Sequence, residues 1–276
     1  MTQWLNSFDV EQKINVAQNN VCRVKHSISS ASQKIFVVLE QGVQCTFHVQ
    51  DEYLISRHPQ PSPLAMAGAA GPSNEFSNKK SSDSSQQQTI EYHFVLHAGA
   101  KLEFLVSLIE SLNLSILIYV YLQGDGSQAS IKGIYALDRD QNISIKTFQY
   151  HSGPRTKSNL VIKGMLKGRA QAVYEGLIFI GEQAKKTEAS QENKNILLSK
   201  QAKVISIPSI EVLQHDVQCS HGSAIGKFDD EQLWYLQSRG LSKQKSYELL
   251  IESFFKEIVE NFEDRKVMER LCQKMI

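Results

Sequence analysis

Two stretches of this chain repeat one another: Ala170, Ala172, Val173, Ile178 and Ile180 align with Ala202, Val204, Ile205, Ile210 and Val212. An offset repeat of short β-branched segments is what stacked coils produce, each rung burying its face on the next, as in a parallel β-helix. An antiparallel sandwich would show the same alternation over any single strand. Both readings make the chain mainly β. Leu112, Leu114, Ile116, Ile118, Val120 and Leu122 alternate with Asn113, Ser115, Tyr119, Tyr121 and Gln123, which predicts a strand with one buried face. Gly124-Asp125-Gly126 then supplies a turn, and Ile143, Ile145 and Thr147 begin another alternating run. Earlier, Ile35 to Leu39 is β-branched and aromatic and reads as a buried strand. From Leu160 to Val212 the strands are short, with polar or Gly punctuation and no long helical period.

A chain of 276 residues that is 41% hydrophobic can bury one substantial core. We therefore expect a main domain over 35–226, a short N-terminal segment over 1–34 and a helical region over 227–276. Residues 1–34 show no period and read as irregular or weakly helical. From Arg57 to Thr89 the composition changes to Pro, Gly, Ser, Lys and Gln, too polar to offset the entropy of ordering, which predicts a disordered insertion over 57–89.

After Gly226 the period becomes helical. Asp229 is an N-cap candidate with Gln232 at capping-box spacing, and Gly240 fits a C′ stop. Ser242 caps a second helix whose apolar face is Tyr247, Leu250, Ile251, Phe254, Phe255, Ile258 and Phe262; a third stretch carries Met268, Leu271 and Met275. This tail is too short for its own core, so its stripe must pack on the β region or on a partner.

Thirty Lys and Arg stand against twenty-nine Asp and Glu, without the basic excess or stripe a nucleic-acid binder carries. The run from Leu102 to Leu122 is interrupted by Glu103, Glu110 and Asn113 and reads as folded core, not as a membrane span. Residues 1–20 have neither a basic n-region nor an apolar h-region, so we expect no export. Cys22, Cys45, Cys219 and Cys272 are far apart, with no CxxC, as in a reducing compartment with free thiols. Phosphate-loop, GxSxG and HExxH patterns are absent, so neither ATP binding nor hydrolase chemistry is expected. No acidic pair stands out for a β-helix carbohydrate enzyme.

Asp216-Val217-Gln218-Cys219-Ser220-His221-Gly222 is the stretch with metal chemistry in it. In an extended chain Cys219 and His221 share a face, and thiolate with imidazole suits zinc, copper(I) or iron in Fe–S work. The plainer reading is a small buried thiol and a satisfied core imidazole. Cys22, Cys45 and Cys272 read as buried thiols.

The residues from His151 to Gly240 resemble the core domain of the SufB/SufD family, scaffold proteins of the SUF iron–sulfur cluster assembly system. The matches are His151, Pro154, Thr156 and Ser158, then Lys163-Gly164, Glu175-Gly176, Ala184, Thr187, Gln191, Asn195, Leu197-Leu198 and Pro208. They end in Cys219-Ser220-His221-Gly222 and Glu231-Gln232-Leu233-Trp234-Tyr235-Leu236. Within the family the Cys-Ser-His-Gly form is similar to the SufD branch: SufB proteins carry Glu directly after the His, where this chain has Gly222, and their sulfur-accepting Cys matches Asn193 here.

The resemblance implies a right-handed parallel β-helix with a short α-helical C-terminal region, acting without enzymatic activity in the cytoplasm. It implies a SufB-like subunit bound through the β-helix and a SufC-like ABC ATPase bound through the C-terminal helices, with Phe254 and Phe255 as contact candidates. It also implies no stably bound cofactor, only a transient iron or Fe–S cluster at the interface, with Cys219 and His221 beside it. His151 is either a solvated polar corner or a residue near the cluster. His215 would share the strand face of Cys219 but lie about 13 Å from it, which makes it a surface residue, with an orienting role behind the ligands as the alternative. A rival reading is a degenerate member serving as a structural partner or homodimer. It draws on Gly222-Ser223-Ala224 standing where Gly-Ala-Thr is usual, and on a family N-terminal helical region that is largely absent here.

Overall fold

The computed structural model describes residues 2–5, 11–16, 21–28, 33–51, 88–110, 113–262, 264 and 266–276. Its described strands are β1 (Thr2–Leu5), β2 (Glu11–Val16), β3 (Val21–Ile28), β4 (Gln33–Leu39), β5 (Gln44–Asp51), β6 (Gln88–Leu96), β7 (Lys101–Leu108), β8 (Asn113–Leu122), β9 (Gln128–Leu137), β10 (Asn142–His151), β11 (Lys157–Leu166), β12 (Gln171–Ile180), β13 (Thr187–Leu197), β14 (Lys203–Val212) and β15 (Val217–Gly226). Odd-numbered strands make one sheet in chain order and even-numbered strands the other, from β2 to β14. Every strand pairs in parallel with the strand two places on. A chain that alternates between two parallel sheets is a β-helix, and the repeat read from the sequence is its ladder register: Ala172 faces Val204, Val173 faces Ile205 and Ile180 faces Val212.

Side chains alternate in and out along each strand, so the same inward position on successive rungs forms a continuous buried track. The lower rungs fill theirs with aromatic and aliphatic groups. Phe47, Tyr92, Phe94 and Phe104 pack in the lumen with ring centroids 5.0–6.3 Å apart. Each such side chain contributes on the order of 1.5–3 kcal/mol by leaving water.

The N-terminal residues depart from the expectation. β1, β2 and β3 and the first two residues of β4 lie within 1–34 and extend both sheets, where an irregular or weakly helical segment was read. A neighbouring rung supplies the backbone partners that turn a weakly patterned segment into strand. Of the expected insertion, residues 57–87 lie outside the described residues, and Gln88 and Thr89 open β6.

Three helices follow: α1 (Asp230–Ser238), α2 (Lys243–Val259) and α3 (Lys266–Met275). Asp229 caps α1, its carboxylate accepting the Glu231 N–H at 2.9 Å, and Gly240 takes φ +89° just past the end. Ser242 caps α2, accepting the Lys245 N–H at 3.2 Å. Ile251, Phe255, Ile258 and Phe262, with Val267, Leu271 and Met275 of α3, bury against Leu105, Ile134, Val161 and Met165 on the outer face of the odd-numbered sheet. The tail therefore packs on the solenoid, one of the two options its composition allowed. No described helix is long and apolar enough to cross a membrane.

Candidate functional site

The solenoid ends at β14 and β15, which have a rung below them and none above. In β15, Cys219 stands over Ala189 and, below that, Ser158; His221 stands over Gln191 and Leu160. Those lower residues are all buried in the lumen. Cys219 and His221 therefore continue inward-facing tracks, yet both are exposed because the lumen is open at this end. The expected sharing of one strand face holds. Around the opening, Ile205 and Ile207 are 55% and 54% exposed, with Val212, Leu213 and Ile225 also uncovered. Apolar side chains clustered on an exposed strand edge mark a surface suited to a partner.

Beneath this rung the lumen changes character. His151, Thr156, Ser158 and Thr187 are buried together. The His151 ring bonds Thr156 Oγ1 through Nδ1 and Ser158 Oγ through Nε2, each at 2.8 Å, and Thr156 Oγ1 lies 2.9 Å from Thr187 Oγ1. Burial pushes the His151 pKa down to about 4, so the ring is neutral. It is not a solvated corner; its partner Ser158 lies two rungs, about 10 Å, below Cys219. Arg155 does point outward, paired with Asp125. His215 is exposed in the bend before β15, not in the strand, so the strand-face argument does not apply to it.

Asn193, at the position matched to the sulfur-accepting Cys, is also buried. Its Oδ1 accepts from Ser206 Oγ at 2.9 Å and from Asn195 Nδ2 at 2.8 Å, and its Nδ2 donates to the Ile162 carbonyl at 3.2 Å. Two glycines make room for this polar layer. A Cβ on Gly164 would overlap the Tyr135 ring and the Asn195 amide, and one on Gly176 would overlap the Gln191 amide and the Tyr174 hydroxyl.

On the helical side the two phenylalanines divide. Phe255 is 0% exposed and belongs to the helix–sheet core, so it is not a surface contact. Phe254 is half-buried, with the Lys163 ammonium 5.5 Å from its ring centroid. Among the described residues the exposed aromatics are on α1, which buries no residue: Trp234 is 73% exposed and Tyr235 53%. These two lie within the family-matched block but carry no apolar period, so they did not stand out as contacts.

The sequence profile described as "SUF system FeS cluster assembly, SufBD core domain" matches residues 24–254, most of the chain. The chain belongs to the SufBD family. It is 31% identical over 158 residues to the iron–sulfur cluster assembly protein SufD of Escherichia coli, covering 56% of this chain and 37% of that one. It is 34% identical over 160 residues to an iron–sulfur cluster assembly SufBD family protein of Mycobacterium leprae, covering 55% and 41%. The chain thus spans about two-fifths of the length of these curated relatives. Among the described residues, no three His, Cys, Asp or Glu side chains are gathered closely enough to hold a metal ion. Any cluster handled by this SufBD-family chain at Cys219 and His221 would have to draw its remaining donors from elsewhere.

Proposed function

We propose that the chain is a SufD-like, non-enzymatic scaffold subunit that assembles iron–sulfur clusters in the cytoplasm with a SufB-like subunit and a SufC-like ABC ATPase. The observation that carries this reading is the placement of Cys219 and His221 on inward tracks at the open end of the lumen, inside a rim of exposed Ile205, Ile207, Val212 and Ile225. A partner's end rung closing this opening would bury the rim and bring its own ligands opposite the pair. The nascent cluster is cargo: thiolate and imidazole suit iron and sulfide, and two donors leave coordination to be completed by the partner. Trp234 and Tyr235, with Phe254 behind them in the chain, supply aromatic contacts for the ATPase, since large aromatic groups dominate interface hot spots.

Co-expression with candidate SufB-like and SufC-like proteins, followed by anaerobic purification and an absorption spectrum, tests the reading. A three-component complex with Fe–S charge-transfer bands is expected. A complex that stays colourless on reconstitution would favour the structural-partner role, and a homodimer that captures neither protein would contradict the proposal.

A further inference from the structure

We propose that Asn193 positions the end rung: a buried hydrogen-bond spine from Ser206 through Asn193 and Asn195 to Tyr135 fixes the register of β14. This rests on the reading that the end rung docks a partner. β14 pairs with β12 alone, so it is held on one side only. Its inward residues include Val204, Ile210 and Val212, and a slip by two residues would keep an apolar set facing inward. Dispersion and burial are not directional and discriminate poorly against such a slip.

The spine does discriminate. Ser206 Oγ crosses from the even-numbered sheet to Asn193 Oδ1 of β13, which also accepts from Asn195 Nδ2. Asn195 Oδ1 in turn accepts from the Tyr135 hydroxyl. Tyr135, Gly164 and Asn195 stand in register on β9, β11 and β13, and only a glycine at 164 lets the Tyr135 side chain reach past the intervening rung. Burial pushes the Tyr135 pKa up, so its hydroxyl stays protonated and donates. Asn193, Asn195 and Tyr135 are buried. A slipped β14 would leave the Asn193 amide short of a partner in a place water does not reach, a directional penalty that apolar tracks lack.

Hydrogen exchange on the full chain tests this in Asn193→Leu, Ser206→Ala and Tyr135→Phe. In the first two, exchange across Lys203–Val212 should speed up about tenfold while Gln171–Ile180 stays protected; Tyr135→Phe should give a smaller rise at the same strand. Capture of the cognate SufB-family subunit should fall in the same order. Unchanged exchange at β14 overturns the inference, as does an increase spread evenly over the solenoid. Faster exchange at β14 with undiminished capture supports the spine and removes the docking reading instead. Ser206 is only half-buried, so its variant carries the test if Asn193→Leu does not fold.

Discussion

Lys163 Nζ lies 2.9 Å from Glu257 Oε2, tying the outer face of the odd-numbered sheet to α2. The same ammonium donates to the Phe254 carbonyl at 3.0 Å. The lysine is buried and the glutamate largely exposed, so most of what Lys163 contributes comes through the part-buried bond to the Phe254 carbonyl and through its packed stem. Lys163→Met should loosen α2 by about 1–2 kcal/mol. Lys163 holds the Glu257 pKa below the usual carboxylate value. A carboxylate with a depressed folded pKa stabilises above its unfolded pKa and loses that contribution as pH falls through the folded one. Melts followed by Trp fluorescence should therefore show the variant's deficit shrinking from pH 7 to pH 3. An equal deficit at both values would mean that the carboxylate has no part in it.

His151 gives the lumen its own pH dependence. Its folded pKa of about 4 lies below its ordinary 6.5, so the unfolded chain binds a proton that the folded chain refuses. Stability from this group is complete above pH 6.5 and declines to about 3 kcal/mol lower by pH 4. His151→Gln should cost stability at neutral pH but flatten that decline. Denaturant titrations from pH 7 to pH 4 with parallel slopes for both proteins would contradict the account.

The aromatic residues of the helical region should separate cleanly. Phe255→Asp buries a charge in the helix–sheet core and should yield insoluble protein or lose several kcal/mol, roughly 3–5. Trp234→Ala and Tyr235→Ala touch no core and should shift stability by less than about 0.5 kcal/mol, yet abolish co-purification with the SufC-like ATPase. Phe254→Asp should be soluble and weaken the same capture. Retention of the ATPase by the α1 double variant would move the contact elsewhere.

How much could be read beforehand differs by element. The ladder from Ile178 to Ile210 was legible because each strand reports its own inward face and the rungs repeat it. The N-terminal strands were not: pairing to a neighbouring rung decides them, and that information lies outside the segment. His151 sits beside the Gly153-Pro154 turn, which left a solvated corner and a place near the cluster both open, but it is the last residue of β10 and points inward. Cys219 and His221 were recognisable as a same-face pair. That their face is the lumen, open because the solenoid stops there, depends on which rung is last. Ile205 was read as a repeat position and Ile207 was not singled out, and only the structure shows that both face outward with nothing over them.

The insertion should be dispensable. Where β9 passes to β10 the corner needs only residues 138–141, so deleting Ser62–Gln87 leaves more chain than the β5 to β6 connection needs. Loop-closure cost changes slowly with length, by about 0.6 kcal/mol per doubling. The deleted protein should be soluble, with a melt close to the parent's. Loss of soluble protein would show that the segment carries structure.

The central claim is that Cys219 and His221 stand beside the cluster, and that His221 matters more because incoming sulfide or a partner thiolate can stand in for Cys219 but not for an imidazole. Its most direct measurement is complementation of a SufD-deficient strain under iron limitation by His221→Ala and Cys219→Ala, run beside thermal melts of both. Both side chains are exposed, so neither melt should move appreciably. His221→Ala should fail to complement while still binding its partners, and Cys219→Ala should complement partially. Full complementation by His221→Ala would contradict the account and leave the end rung as a docking surface alone.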